Sequence, residues 1–306
     1  MTRTDNDSWD IATSVGATAV GVAAARATET ASDNPLISDP YAAVLVSSPE
    51  LEDLMGKMAT MRKKVPEFAA AERQMVDYQA ARTHFFDAYF TAAAAAGTRQ
   101  HVILAAGLDS RAYRLPWPDG TTVYEIDQPK VLEYKSAMLA AHGAEPTATS
   151  RHVAVDLRHD WPKALQDKGF DPTQPTGWLA EGLLAFLPAA AQDAMFTNID
   201  SLSPKGSRIA VEDFGSGGSL KEMVEKQRAR MQELVSQLDE DEVFDLGDLW
   251  YDDDGRSDPA DWFTDHGWRT ESTAARDYLA RLGRPIVDSG DELFPLFATF
   301  VVAIKS

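Results

Sequence analysis

Cysteine is missing altogether from this chain of 306 residues. Its absence excludes disulfides, thiolate zinc sites and a cysteine nucleophile together, and it fits a reducing compartment. Basic residues are scarce beside acidic ones, 29 Lys and Arg against 48 Asp and Glu, for a formal net charge of −19. A nucleic-acid partner needs a basic stripe that displaces counterions, so this balance argues against one, and equally against an anionic membrane surface. Long apolar runs are lacking too. Residues 15–25 and 293–304 are the longest, and both fall short of the roughly 20 needed to span a bilayer. Residues 1–10 are polar and acidic, without the pattern of a secretory leader. The expectation is a cytoplasmic protein with no membrane insertion. The six histidines show no metal spacing such as H-E-x-x-H, so no metal is expected and most should be solvated or capping.

What is present is ordinary globular material, 44% hydrophobic and 25% charged, enough for one large domain or two small ones. Residues 1–100 read as helix without a strand: an alanine-rich helix over 11–31, a second opened by Asp39-Pro40 as N-cap and first helical residue, and a long run over 68–96. From residue 101 the texture changes. Short apolar runs at 101–106, 121–126, 151–155, 177–180 and 208–212 alternate with helical stretches, the pattern of a parallel sheet covered on both faces. A sixth strand at 268–272, a helix at 274–282 and a final extended run at 296–304 predict a doubly wound, seven-stranded, mostly parallel sheet. Residues 1–100 are then a helical cover and 101–306 the ligand-binding unit. Residues 215–258 form an insertion with a helix near 220–238 and an acidic loop. Residues 239–265 hold 12 acids and one arginine, which suggests a solvated lid.

In such a sheet ligands bind beyond the carboxyl ends of the strands. The first strand ends at Ala105-Ala-Gly107, and Asp127 follows twenty residues after that glycine, just past the second strand. A carboxylate there can accept from two ribose hydroxyls, so the pair points to an adenosine-containing cofactor; the plainer alternative is a turn and a helix cap. A nicotinamide dinucleotide wants G-x-G-x-x-G, and Ala105-x-Gly107-x-x-Ser110 lacks two of the three glycines. S-adenosylmethionine has no phosphate and needs no such cradle. Asp156-Leu157 can meet an adenine through its amine and ring face, or cap a helix. Glu181, in an apolar run at the end of the fourth strand, must be paired if buried, with the cofactor's cationic end or with a structural arginine.

These residues carry a family resemblance. Thr13-Ser-Val-Gly-Ala-Thr-Ala, Arg26-Ala-Thr-Glu29, Asp39-Pro-Tyr-Ala42, Arg82-Thr83, the run from Ala105 through Asp109-Ser-Arg111 to Leu115, Tyr124-Glu-Ile-Asp-Gln-Pro129, Asp156-Leu157 and Glu181-Gly-Leu-Leu184 resemble the leucine carboxyl methyltransferase-like group of S-adenosylmethionine-dependent methyltransferases, especially its mycobacterial branch. The resemblance covers nearly the whole chain. It implies that Arg82 pairs with the cofactor's carboxylate and that the loop of Ala105 and Gly107 passes under its methionine part. It further implies that Asp127 holds the ribose, Asp156 and Leu157 the adenine, and Glu181 the methionine end. Arg26 is a weaker match to a residue holding cofactor or acceptor. Two departures stand out: Ala105 replaces a glycine of better-known relatives, and Phe186 replaces a frequent tyrosine.

No His–Asp pair or lysine base stands out. A carboxylate acceptor is already ionised and needs none, so carboxyl O-methylation of a small or lipid-like acceptor is expected. The acidic 239–265 segment would repel small free anions, so either it faces away from the entrance or the acid is carried on a larger apolar molecule. A non-catalytic S-adenosylmethionine-binding protein and an NAD(P)-dependent reductase remain as alternatives at this point.

Overall fold

The computed structural model describes residues 14–64, 66–215, 250–251, 255–284 and 297–306, together with Glu225 and Ala229. Most of the expected 220–238 helix and 239–249 of the acidic segment lie outside these residues, as does all but the first residue of Gly215-Ser-Gly-Gly-Ser219.

Four helices precede the sheet: α1 (Ser14–Thr30), α2 (Ala42–Leu45), α3 (Glu52–Lys64) and α4 (Pro66–Ala95). The sequence reading overlooked α3. It also started α2 too early: Asp39 accepts from the backbone N–H of Tyr41 and Ala42 as a turn, and the helix begins only beyond it. Seven strands follow, β1 (Gln100–Leu104), β2 (Thr122–Asp127), β3 (Thr149–Ala154), β4 (Thr176–Ala180), β5 (Arg208–Asp213), β6 (Trp268–Ala274) and β7 (Thr299–Lys305). Between them run α5 (Arg111–Arg114), α6 (Pro129–Ala141), α7 (Trp161–Asp167), α8 (Ala189–Ser201), α9 (Pro259–Asp265) and α10 (Ala275–Arg281).

The strand order is β3-β2-β1-β4-β5-β7-β6. The first five are parallel, and β7 is inserted antiparallel between β5 and β6. The chain therefore leaves β1 toward β3 and returns to β4, which opens a crevice between the ends of β1 and β4. Strand residues alternate between the faces. Val102, Leu104, Trp178 and Val211 bury against Trp161, Phe196 and Phe263, from α7, α8 and α9. Ile103, Leu179 and Ala210 bury against Tyr78, Phe86 and Phe90 of α4 on the other side. With both faces covered, the central strands read as continuous apolar runs, which made them easy to find in the sequence.

Candidate active site

The segment after β1 is the most strained piece of described backbone. Ala105 has φ +50°, the one non-glycine residue in the left-handed region among the described residues, and Gly107 follows at φ +48°. A Cβ on Gly107 would sit 3.1 Å from the Ala19 Cβ of α1, so this loop both turns sharply and passes close beneath the helical cover. Asp127 fastens it: its Oδ2 accepts from the Gly107 N–H at 2.6 Å and its Oδ1 from the Gln128 N–H at 2.7 Å. Burial pushes the Asp127 carboxyl above its ordinary range, against those two hydrogen bonds. Gln128 then donates from Nε2 to Asp156 Oδ2 at 2.9 Å, which links the ends of β2 and β3. Burial raises Asp156 as well, but hydrogen bonds from the Arg158 side chain and N–H outweigh it and hold the carboxyl below its usual range. Leu157 lies half-buried against the core beside it.

Glu181 is not left waiting for a ligand to pair with. It forms ion pairs with Arg82 Nε at 2.8 Å and Arg111 Nη1 at 2.7 Å. Arg82 also spans to Glu212 at the end of β5, donating from Nη1 at 2.8 and 3.1 Å. Glu212 accepts in addition from the Tyr78 hydroxyl and from the Gly182 N–H at 2.6 Å. Burial pushes the Glu212 carboxyl up, and the adjacent guanidinium opposes that. The ladder continues through Arg111 to Asp109 and Asp87, through Arg114 to Asp87, and past Ser110 to Asp39 and Arg26. Arg26 is spent inside it: Nε meets Asp39 at 2.8 Å, and Nη2 donates to the Leu108 carbonyl at 2.7 Å.

Sequence reasoning named Arg82 and Glu181 but missed Tyr78, Asp87, Asp109, Arg111 and Glu212. Glu212 carried the same signal as Glu181, an acid inside an apolar strand end. Tyr78 carried none beyond its place one turn before Arg82.

Whether these residues fit a cofactor can be asked of the polar atoms left open. Gln79 Oε1 and Thr83 Oγ1, on one turn of α4, are buried without a hydrogen-bond partner among the described residues. Arg82 Nη2 takes no bond there either. An acceptor–donor set of this kind suits the amino and carboxylate groups of a methionine moiety.

Beyond Glu181 the chain makes a 3₁₀ turn (Leu184–Phe186). Arg256 clamps that turn, donating to the carbonyls of Leu184 and Leu187 and to Gln192. Tyr251 N–H bonds the Ala185 carbonyl. Trp250 accordingly sits edge-on to Phe186, with centroids 6.3 Å apart, and stacks on Phe214 at 6.1 Å. Trp262, the other tryptophan flanking the acidic segment, packs instead on Phe196 and His266. Asp213, buried at the end of β5, is pushed up to about 6 by burial. No group of His, Asp and Glu suited to a metal occurs among the described residues, and none of their helices is long and apolar enough to cross a membrane.

Residues 19–200 match the model of the leucine carboxyl methyltransferase family. A Mycobacterium marinum protein, named as an S-adenosyl-L-methionine-dependent methyltransferase, is 58% identical over 292 residues, covering 93% of this chain and 94% of the relative. A Mycobacterium tuberculosis protein of the same name is 52% identical over 305 residues, covering 96% of each. Among solved structures, a methyltransferase from Thermobifida fusca superposes with a TM-score of 0.52 at 15% identity, over 86% of this chain and 92% of that one, a likeness of fold. The chain belongs to the leucine carboxyl methyltransferase family of S-adenosylmethionine-dependent enzymes.

Proposed function

We propose that this methyltransferase esterifies a carboxylate on a small or lipid-like acceptor. Bound at the crevice, S-adenosylmethionine supplies a methyl group already activated by its sulfonium. The protein's tasks are then to bind, orient and keep water out. In this reading Arg82, through its open Nη2, and the polar atoms of Gln79 and Thr83 hold the methionine end. The loop of Ala105 and Gly107 runs beneath it, Asp127 takes the ribose hydroxyls, and Asp156 with Leu157 takes the adenine. Phe186, Phe214 and Trp250 offer an aromatic wall to the apolar part of the acceptor, and the helical cover closes the site from the other side.

The observation that carries the carboxylate reading is the pairing of the site's acids. Asp87, Asp109, Glu181 and Glu212 are each bonded to a guanidinium, so none is free to take a proton from an acceptor. A carboxylate acceptor needs no such base. The second reading, a hydroxyl acceptor, rests on Asp213, whose raised carboxyl beside Phe214 is poised to accept a proton near neutral pH.

Two measurements test this. Asp127→Ala should weaken S-adenosylmethionine binding by about a hundredfold in calorimetry, since the variant loses a charged acceptor for two hydroxyls; unchanged affinity contradicts the ribose assignment. A methyl-transfer screen over fatty, polyketide and small carboxylic acids should yield methyl esters and S-adenosylhomocysteine. Methylation of phenols or alcohols alone moves the assignment to Asp213. No product with any acceptor leaves a binding protein.

A further inference from the structure

The buried network does not balance its own charge. Its connected members are four guanidinium groups, on Arg26, Arg82, Arg111 and Arg114, and five carboxylates, on Asp39, Asp87, Asp109, Glu181 and Glu212. All lie at most 18% exposed at the side chain. By contrast, fully buried Lys135 pairs with fully buried Glu125 of β2 at 2.8 Å. Here Glu212 breaks the parity. Without it, Arg82 and Glu181 would still pair. With it, a second carboxylate is held on the same guanidinium at no solvent exposure, fixed by Tyr78 and the Gly182 N–H. A buried charge in excess is costly unless a counter-charge arrives.

The cofactor changes charge during the reaction. The methyl donor carries a sulfonium, an ammonium and a carboxylate, a net +1. When the S–CH₃ bond breaks, its electron pair returns to sulfur, the methyl joins the acceptor oxygen, and the thioether product is left with no net charge. We propose that the Glu212-centred network reads this difference, binding the cationic donor in preference to its neutral demethylated product and so favouring product exchange. The inference rests on the network being the methionine end of the cofactor site. Donor and product share every other group, so a charge preference is the contrast that this surplus carboxylate can supply, and in a dry site one charge is worth far more than in water.

The test is calorimetry on the full chain with three ligands: S-adenosylmethionine, S-adenosylhomocysteine, and sinefungin, which carries an ammonium in place of the methylated sulfonium. The unmodified protein should bind both cations at least about tenfold tighter than the neutral product. Equal affinities for all three overturn the proposal whatever any variant does. In Glu212→Gln, which removes the charge but keeps the shape, both cations should lose about tenfold or more while the neutral product loses less than about threefold. An equal loss for all three ligands means that Glu212 only supports the structure, and also overturns it. Arg82→Met separates the underlying reading. If it weakens none of the three ligands, the network is not the methionine end. If it weakens all three while Glu212→Gln leaves their ratio unchanged, that reading stands and the charge preference falls.

Discussion

At the carboxyl ends of β1, β4 and β5, α4 delivers Tyr78 and Arg82 into a cluster where every charge meets an opposite charge. Further along, at the amino end of β1, the same helix delivers Phe90 onto His101, which is fully buried against Phe90 and Trp117 and, among the described residues, meets no charged or side-chain hydrogen-bond partner, only the backbone near Thr98. Both ends bury polar groups, yet they solve the problem in opposite ways. The charged end keeps its ions, each bonded to an opposite charge though with one carboxylate in excess, and leaves open neutral atoms and one guanidinium corner that a ligand can fill. The aromatic end lets the imidazole lose its charge: burial pushes His101 down to about 3. On the neighbouring strand Gly177 leaves room for it, since a Cβ there would lie 2.5 Å from Nδ1. An orphaned polar atom alone therefore does not mark a site. Two on one helical turn, beside left-handed backbone and a sheet crevice, support the proposed cofactor site.

The sharpest way to break the comparison is to remove a charge at the charged end. Arg82→Ala strands Glu212 in a buried setting, leaves Glu181 to Arg111 alone, and should cost about 3–5 kcal/mol of stability, together with the thermal shift that S-adenosylmethionine gives the parent protein. A loss below about 1 kcal/mol would mean that the network relaxes to water, as a surface pair does.

Legibility in the sequence followed the same divide. The sheet was legible because its strands are buried on both faces and its helices begin at recognisable punctuation, as at Asp160 and Asp258, whose side chains cap α7 and α9. Asp127 was legible from its spacing to Gly107, and Glu181 from its anomalous place in an apolar run. The partners were not. Arg82 meets Glu212 across 130 positions and Arg111 meets Glu181 across 70, and no local pattern encodes such pairings. His101 is the buried exception to the expectation that most histidines are solvated or capping. The expectation of a solvated or capping histidine reads the residue type, whereas its burial is set by Phe90, Trp117 and Gly177 brought in from elsewhere.

The aromatic end makes its own prediction, opposite in sign to a paired charge. The His101 pKa is depressed in the fold, so below 6.5 the unfolded chain binds a proton that the native state refuses, and stability falls as pH falls. Between pH 6.5 and 4 that loss should reach about 3 kcal/mol. His101→Phe should leave stability near pH 7 within about 1 kcal/mol and flatten this part of the profile, measured by urea unfolding at a series of pH values. A profile unchanged by the substitution would show that the imidazole finds a partner after all and that the two ends differ less than they look.

The smallest effect concerns the backbone at the charged end. Ala105 holds a φ of +50°, a conformation that costs a residue bearing a Cβ roughly 1–2 kcal/mol. Ala105→Gly relieves this strain but frees the unfolded chain, which returns about 0.4–1 kcal/mol in the opposite direction. The net gain should be about 0.5 kcal/mol, a rise of a degree or two in the melting temperature. Strain retained beside a ligand loop is informative only if the ligand feels it. The loop is pinned by the Gly107 N–H on Asp127, not by residue 105, so the glycine variant should keep its affinity for S-adenosylmethionine within about threefold while gaining stability. A drop of tenfold or more would instead mean that the alanine methyl preorganises the loop, and that the strain is part of how the charged end receives its cofactor.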